Sequence, residues 1–388
     1  MEKKKYLHEV DLMRVIFIFG VLLNHVTSAI SQRLNNDTYS AVFMDTTHLS
    51  LHFTRMGFMF MTGLVLTLNY YHKEPHWPAF WKKRYWSVGV PYLAWNALLL
   101  LFMNLVTEQS QTGSEFFSTW VQYVRYGDHF YLYYLLVTMQ LYLLFPLLMK
   151  LFKKYPQNHL MILLGSILLQ FFLLLALKYW LPHVDTANWW YLFRYYGNNV
   201  LVYQVYFIAG AFTSIHYQKV ERFIMRHARL IGYLTLCLAL GTILLYVGDI
   251  RILNLSNHAA HSAHQPYILV YALTMIAFVF YLGRKYAYWR EHGLWQQVDL
   301  LIKLGSKLSF GVYLVQTIPL TLLAYFLAQI QIAAWLLVVL TPLFYLLTVA
   351  ASLLIAWLLY RIPPFGVLVG RSNIHKLKKE GVKNVTVK

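Results

Sequence analysis

Long apolar stretches alternate along the chain with short polar connections, and the stretches outrun the helices of an ordinary soluble core. A bilayer core takes about 20 mostly apolar residues per helix, because lipid offers no partner to a free backbone N–H or C=O. By that criterion ten spans are expected, at 10–29, 51–70, 87–106, 130–149, 159–180, 199–217, 230–248, 266–283, 308–328 and 335–360. The expected fold class is all-α: a polytopic membrane helix bundle of about ten transmembrane helices over residues 1–365, with a basic tail at 366–388. Short connections leave no room for a separate soluble catalytic domain, so any chemistry must sit in or between the helices. No internal repeat, Gly/Ser linker or low-complexity tract interrupts the pattern.

Composition agrees with this reading. Of 388 residues 59% are hydrophobic and 12% charged, against about 25% charged in soluble domains. Mean hydropathy is +0.48. An ordinary cytosolic enzyme and a disordered chain are excluded. The single cysteine, Cys237, allows no intrachain disulfide and no thiolate metal site.

The net charge of +18, from 33 Lys and Arg against 15 acids, would suit a nucleic-acid partner if it formed one patch. It does not. Sorted by connection, 26 of the 33 cations lie on the side of the N-terminus, five on the other side, and two, Arg14 and Arg55, inside spans. The positive-inside rule then puts both termini in the cytoplasm and makes the basic excess topogenic, so no nucleic-acid partner is expected. Lys3–Lys5 followed by an apolar stretch resembles a leader, but Asp11 and Arg14 interrupt it and nine further spans follow, so cleavage is not expected. Tyr and Trp at span ends, such as Trp189 and Trp190, read as an interfacial belt.

Ionisable groups at membrane depth are costly, and few exist here. Arg14 and His25 lie eleven residues apart in the first span. A helix brings them within ~20° of one face and ~16 Å apart along it. Arg14 reads either as a snorkelling cation paired with Asp11 or as an anion ligand at the inner surface. His25 reads as a packing residue or as a proton acceptor. Arg55, at about the depth of His25, reads as an oxyanion stabiliser or a lipid-phosphate anchor. Lys82-Lys83-Arg84, set among Trp81, Tyr85 and Trp86 in the connection before the third span, reads as an anchor or as a phosphate clamp. Thr62, Asn96, Thr138, Gln140, Gln170 and Gln204 read as helix–helix hydrogen-bonding groups. His258, His261 and His264 have metal-clip spacing but no carboxylate or thiolate support, and no metal is assigned.

These residues carry a resemblance to the acyltransferase 3 family of bacterial integral-membrane O-acyltransferases, over nearly the whole chain. Asp11, Arg14 and His25 are similar to the family's first-span motif. Arg55-Met-Gly-Phe-Met-Phe-Met-Thr-Gly63 resembles its second, and Phe80-Trp-Lys-Lys-Arg84 with Pro91-Tyr92 its third. His129-Phe-Tyr-Leu-Tyr with Gln140-Leu-Tyr142 and Pro146 resembles the next. Leu308-Ser-Phe-Gly-Val-Tyr313-Leu resembles the last, with Gln316 where the family usually has His. The stand-alone size is similar to members found with exopolysaccharide and poly-N-acetylglucosamine adhesin loci.

The resemblance implies a multi-pass enzyme of the bacterial cell membrane. It would move an acetyl or succinyl group from cytosolic acyl-CoA to a hydroxyl of an extracytoplasmic glycopolymer or its lipid-linked precursor, alongside polysaccharide-synthesis machinery. Acyl-CoA would be a donor substrate, with no permanently bound cofactor. His25 would be the general base and Arg55 its catalytic partner. Arg14, Lys83 and Arg84 would hold the donor's phosphates, and His129 and Gln316 would contact the acceptor. The alternatives are an exporter of polysaccharide or lipid-linked sugar, which would call for internal repeats and paired broken helices, and a non-catalytic scaffold.

Overall fold

The computed structural model describes residues 6–35, 38–127 and 129–370, apart from the side chain of His258. Lys3–Lys5 and residues 371–388 of the expected tail lie outside the described residues. The helices are α1 (Glu9–Ser31), α2 (Tyr39–Ser50), α3 (Phe53–Tyr70), α4 (Trp77–Val106), α5 (Gly113–Tyr126), α6 (Tyr133–Lys154), α7 (His159–Leu175) and α8 (Tyr191–Arg194). They continue with α9 (Gln204–Ile215), α10 (Tyr217–Arg226), α11 (Ala228–Arg251), α12 (Asn257–Ala260), α13 (Pro266–Glu291), α14 (Gln296–Val315), α15 (Thr317–Gln329) and α16 (Ala334–Arg361). Among the described residues, 8 helical stretches are long and apolar enough to cross a membrane, and the bent pair α14–α15 makes up to 9. The protein is a multi-pass helical membrane bundle.

Four expectations need correction. The span expected at 199–217 is only the 12-residue α9, about 18 Å long at 1.5 Å per residue and too short for the apolar core. The 3₁₀ turns Tyr196–Asn198 and Val200–Val202 precede it. Their backbone groups are satisfied by side chains. Gln140 Nε2 donates to the Asn198 carbonyl at 2.8 Å, and its Oε1 accepts from Val200 N–H at 3.0 Å. Gln170 Nε2 donates to the Val202 carbonyl at 2.9 Å. Irregular backbone is tolerated inside a membrane protein where side chains replace the missing ladder.

The span expected at 308–328 is broken: α14 and α15 meet at a 56° bend at Gln316. Pro319, two residues into α15, cannot donate to the Val315 carbonyl, and its ring crowds that turn.

The basic aromatic stretch Trp81–Trp86 is not a connection but the start of α4. Pro78 sits in its first turn, and the His76 ring accepts from Ala79 N–H at 3.3 Å.

The closest helix crossing lies between α3 and α9. A Cβ on Gly63 would stand 2.1 Å from the Phe207 carbonyl oxygen, and one on Gly210 2.0 Å from that of Phe60. Two reciprocal glycines let the backbones touch, as small residues do between membrane helices. This contact holds the short α9 in place.

The chain after α16 turns back into the bundle. Trp95 Nε1 donates to the Leu368 carbonyl at 2.8 Å, and the 3₁₀ turn Phe365–Val369 packs against α4, α14 and α16. Residues 366–370, expected to open the tail, therefore belong to the packed body.

Candidate active site

A cavity of about 500 Å³ runs between α1, α3, α4, α6 and α14, with the tip of the final turn at one end. α1 is unbroken, so the helical phase read from the sequence holds: Arg14 and His25 both face the cavity, as do Arg55 and Arg84. Among the described residues Lys307 is the fourth cation of the wall, and no Asp or Glu lines it. Among the described residues none of these four cations pairs with a carboxylate. Asp11 is no partner of Arg14. It accepts instead from Tyr6 Oη at 2.9 Å and Ser306 Oγ at 2.7 Å, so it pins the start of α1 to α14.

The cavity has two unlike ends. At the N-terminal end lie Arg14, Arg84, Ser306 and Lys307, with Val369 and Gly370 of the returning chain. The Arg84 guanidinium lies 5.8 Å from the centres of the Phe80 and Tyr142 rings and 6.0 Å from that of Tyr70, and its Nε has no hydrogen-bond partner among the described residues. Lys83 does not line the cavity and is exposed. Consecutive helical residues point about 100° apart, so one α4 surface cannot present both side chains inward.

At the far end stand His25, Asn24, Thr54, Arg55, Tyr131 and Tyr133. The His25 ring stacks on Tyr131 with centroids 3.8 Å apart, and neither of its ring nitrogens makes a hydrogen bond among the described residues. The neighbouring histidines are committed. His48 Nδ1 donates to the Asn24 carbonyl at 2.9 Å. His52 Nε2 donates to the His261 carbonyl at 2.9 Å, which leaves Nδ1 to accept from Arg55 Nη2 at 2.9 Å. Arg55 is thereby aimed, and it faces the Tyr133 ring at 5.8 Å.

The loop before α6 brings Tyr131 to His25. Phe130 and Tyr131 have φ of 57° and 64°, a left-handed conformation that costs a non-glycine residue about 1–2 kcal/mol. Contacts from the α14–α15 bend hold this strain: Tyr313 Oη donates to the Tyr131 carbonyl, and Thr317 Oγ1 to that of Phe130 at 3.2 Å. The broken helix therefore has a local purpose.

Gln316, at the bend, is fully buried with both amide atoms unpaired among the described residues, and it does not line the cavity. His129 lies outside the cavity too, stacked on Tyr123 at 3.6 Å.

Beyond this end a histidine loop is tied down. His261 Nε2 lies 3.0 Å from Asp45 Oδ1. Burial lowers the His261 pKa, but the hydrogen bonds it makes to Asp45 and to the Asn257 carbonyl, together with the charge of Asp45, outweigh it and the net direction is upward. His264 is pushed down to about 3 by burial and then by the charge of Arg55, and its Nε2 lies 3.4 Å from Tyr203 Oη. Among the described residues no group of three side chains is arranged to hold a metal ion.

The order of these groups, cations that pair with no carboxylate among the described residues at one end and one uncommitted imidazole beside Arg55 at the other, in the middle of a membrane bundle, is that of a site for an anionic, reactive ligand. The family comparison decides the class. The acyltransferase 3 model, described as an acyltransferase domain, matches residues 7–361. The chain belongs to the acyltransferase 3 family. No curated protein and no solved structure matches it. As an acyltransferase 3 protein it is a membrane acyltransferase. The match covers every element that lines the cavity except the final turn at Val369 and Gly370.

Sequence reasoning found four residues of this wall, Arg14, His25, Arg55 and Arg84, and missed Lys307 and the tyrosines. Lys307 counted as a topogenic cation. Tyr131, Tyr133 and Tyr313 fall in stretches that carry the family resemblance, but without an assigned role, and Tyr134 carries no signal that separates it from belt aromatics.

Proposed function

We propose that the protein moves an acyl group, acetyl or succinyl, from acyl-CoA to a hydroxyl of a glycan across the membrane. The observation that carries this reading is the single cavity that joins carboxylate-free cations at one end to an uncommitted imidazole at the other. An arginine costs about 2.5–3.5 kcal/mol at the centre of a membrane helix on insertion scales and less toward the surface, where Arg14 and Arg84 lie. Phosphates of a donor would offset that cost at Arg14 and Arg84. The positive-inside pattern makes the N-terminal end cytoplasmic and so gives a soluble donor access there. Its acyl arm then runs ~16 Å along α1 to His25.

The chemistry needs one base and one cation. His25 takes the proton from the acceptor hydroxyl as its oxygen attacks the thioester carbonyl, and the developing oxyanion lies against Arg55. Collapse forms the ester C–O bond and breaks the C–S bond. The CoA thiolate leaves and recovers the proton from His25. The membrane is the cytoplasmic membrane of a bacterium, and the acceptor is a surface polysaccharide or its lipid-linked precursor made by neighbouring synthesis machinery. The exporter reading draws less support, because among the described residues one helix pair is broken and nothing mirrors it.

Thermal stabilisation by coenzyme A tests the donor end. Coenzyme A is expected to raise the unfolding midpoint of the purified wild type. Arg14→Ala and Arg84→Ala should each weaken it roughly 10- to 100-fold, the size of a lost charge-assisted hydrogen bond. Lys83→Ala should change it little. Equal stabilisation of wild type and Arg14→Ala would sink the assignment.

A further inference from the structure

A second cleft, of about 720 Å³, opens at the far end of the bundle between α5, the start of α6 and the segment leading into α9. Its wall includes Gln122, Arg125, Trp189, Trp190, Arg194 and Tyr195 and, among the described residues, no Asp or Glu. Trp190 is 67% exposed and Tyr195 45%, although both belong to a segment that does not span the membrane. An interfacial belt places aromatic rings at the ends of spanning helices. Here they line a concavity instead.

The wall is also fixed in advance. Tyr191 Oη and Asn198 Nδ2 both donate to the Tyr126 carbonyl, at 2.5 and 2.9 Å, and Gln140 braces residues 198–200 from α6. The Arg125 and Arg194 guanidinium groups each lie 5.5 Å from the ring centre of the next tyrosine, Tyr126 and Tyr195. Arg194 Nη1 donates to the Ala187 carbonyl at 3.4 Å, and the remaining N–H groups of the two planar guanidiniums are left for a ligand. Flat aromatic faces suit the C–H faces of sugar rings, and arginine forks suit carboxylates and phosphates. Tyr126 lies five residues before Tyr131, the ring stacked on His25. Five residues span at most about 18 Å, so a chain seated in the cleft lies within that reach of the outer end of the catalytic cavity.

We propose that this cleft is the acceptor subsite and that the acceptor is an anionic glycan, with a carboxylate or phosphate on the sugars held by Arg125 and Arg194. The proposal rests on the reading above that the acyl acceptor is a glycan.

Tryptophan fluorescence of the full chain in nanodiscs tests it. The probes are oligogalacturonate, a phosphomannan oligosaccharide and a neutral chito-oligosaccharide, each in zwitterionic and in anionic lipid. The wild type is expected to bind at least one anionic probe saturably, and at least about tenfold more tightly than the neutral one. Arg125→Gln and Arg194→Gln should each lose about tenfold for that probe, as should Trp190→Ala, with Trp190→Phe restoring most of the affinity. Stabilisation by coenzyme A should stay unchanged in all four variants.

Absence of saturable binding, or equal affinity for the neutral probe, overturns the proposal. So does a fluorescence change that follows lipid charge alone, which would give the arginines to lipid phosphates. The two readings fail separately. Glycan acylation by Arg194→Gln with a wild-type acceptor KM removes the cleft and leaves the transferase. Tight anionic binding without any ester formed from acyl-CoA keeps the cleft as a glycan site and removes the transfer reaction.

Discussion

His25→Ala is expected to lower acyl transfer by about 10²–10⁴-fold, the range a positioned general base contributes, while the protein still inserts and folds. The ring makes one described contact, the stack on Tyr131, and no hydrogen bond holds the bundle together through it. Mass analysis of ester per glycan chain, with the elution profile of the purified protein as the folding control, reads both halves. Normal ester content in His25→Ala would remove the imidazole from the mechanism. Halted polymer export with normal ester on each exported chain would replace the transferase by an exporter. His52→Ala should behave differently. That ring orients Arg55 through Nδ1 and ties the His261 loop through Nε2, so its loss should lower both activity and stability.

The largest stability effect is expected at Lys178. Its ammonium donates to both oxygens of Asp249, at 2.7 and 2.9 Å, and to Gln265 Oε1 at 2.6 Å. All three side chains are buried. Lys178→Ala leaves Asp249 as a buried carboxylate without its cation, a change of about 3–5 kcal/mol in systems of this kind. A clear fall in thermal midpoint should follow. Lys178→Met combined with Asp249→Leu should regain most of it, because removing both charges removes the unpaired one.

The network also reaches the site. Gln265 Nε2 donates to the Ala260 and Ser262 carbonyls at 2.9 Å each, which fixes the turn around His261, whose carbonyl accepts from His52. Lys178→Ala should therefore lower the turnover that survives, and the double variant should recover stability with less recovery of rate. Full recovery of rate would confine Lys178 to a structural role.

The bundle was legible in the sequence wherever a span met the hydropathy rule alone. The rule fails at α9, because Gln140 and Gln170 satisfy backbone that an isolated span must satisfy for itself. It fails again at Gln316, where average hydropathy does not register a bend caused by one proline. Helical phase sufficed for Arg14 and His25, which share one unbroken helix. Phase also separates Lys83 from Arg84, but only once α4 is known to begin at Trp77. No local pattern announces the left-handed pair Phe130–Tyr131, because its strain is held by Tyr313 and Thr317, far along the chain. The cleft aromatics read as belt residues, and no sequence signal separates a belt from the binding site proposed for them, since both use the same residue types.

Acyl groups are expected to cross from a donor on one face of the membrane to an acceptor on the other. Inside-out membrane vesicles from producing cells test it, with radiolabelled acetyl- or succinyl-CoA supplied only at the exposed cytoplasmic face. Wild-type vesicles are predicted to place label in ester linkage on glycan sealed in the lumen, and His25→Ala vesicles to place none. Lumenal glycan that accumulates without label in wild-type vesicles would contradict the account.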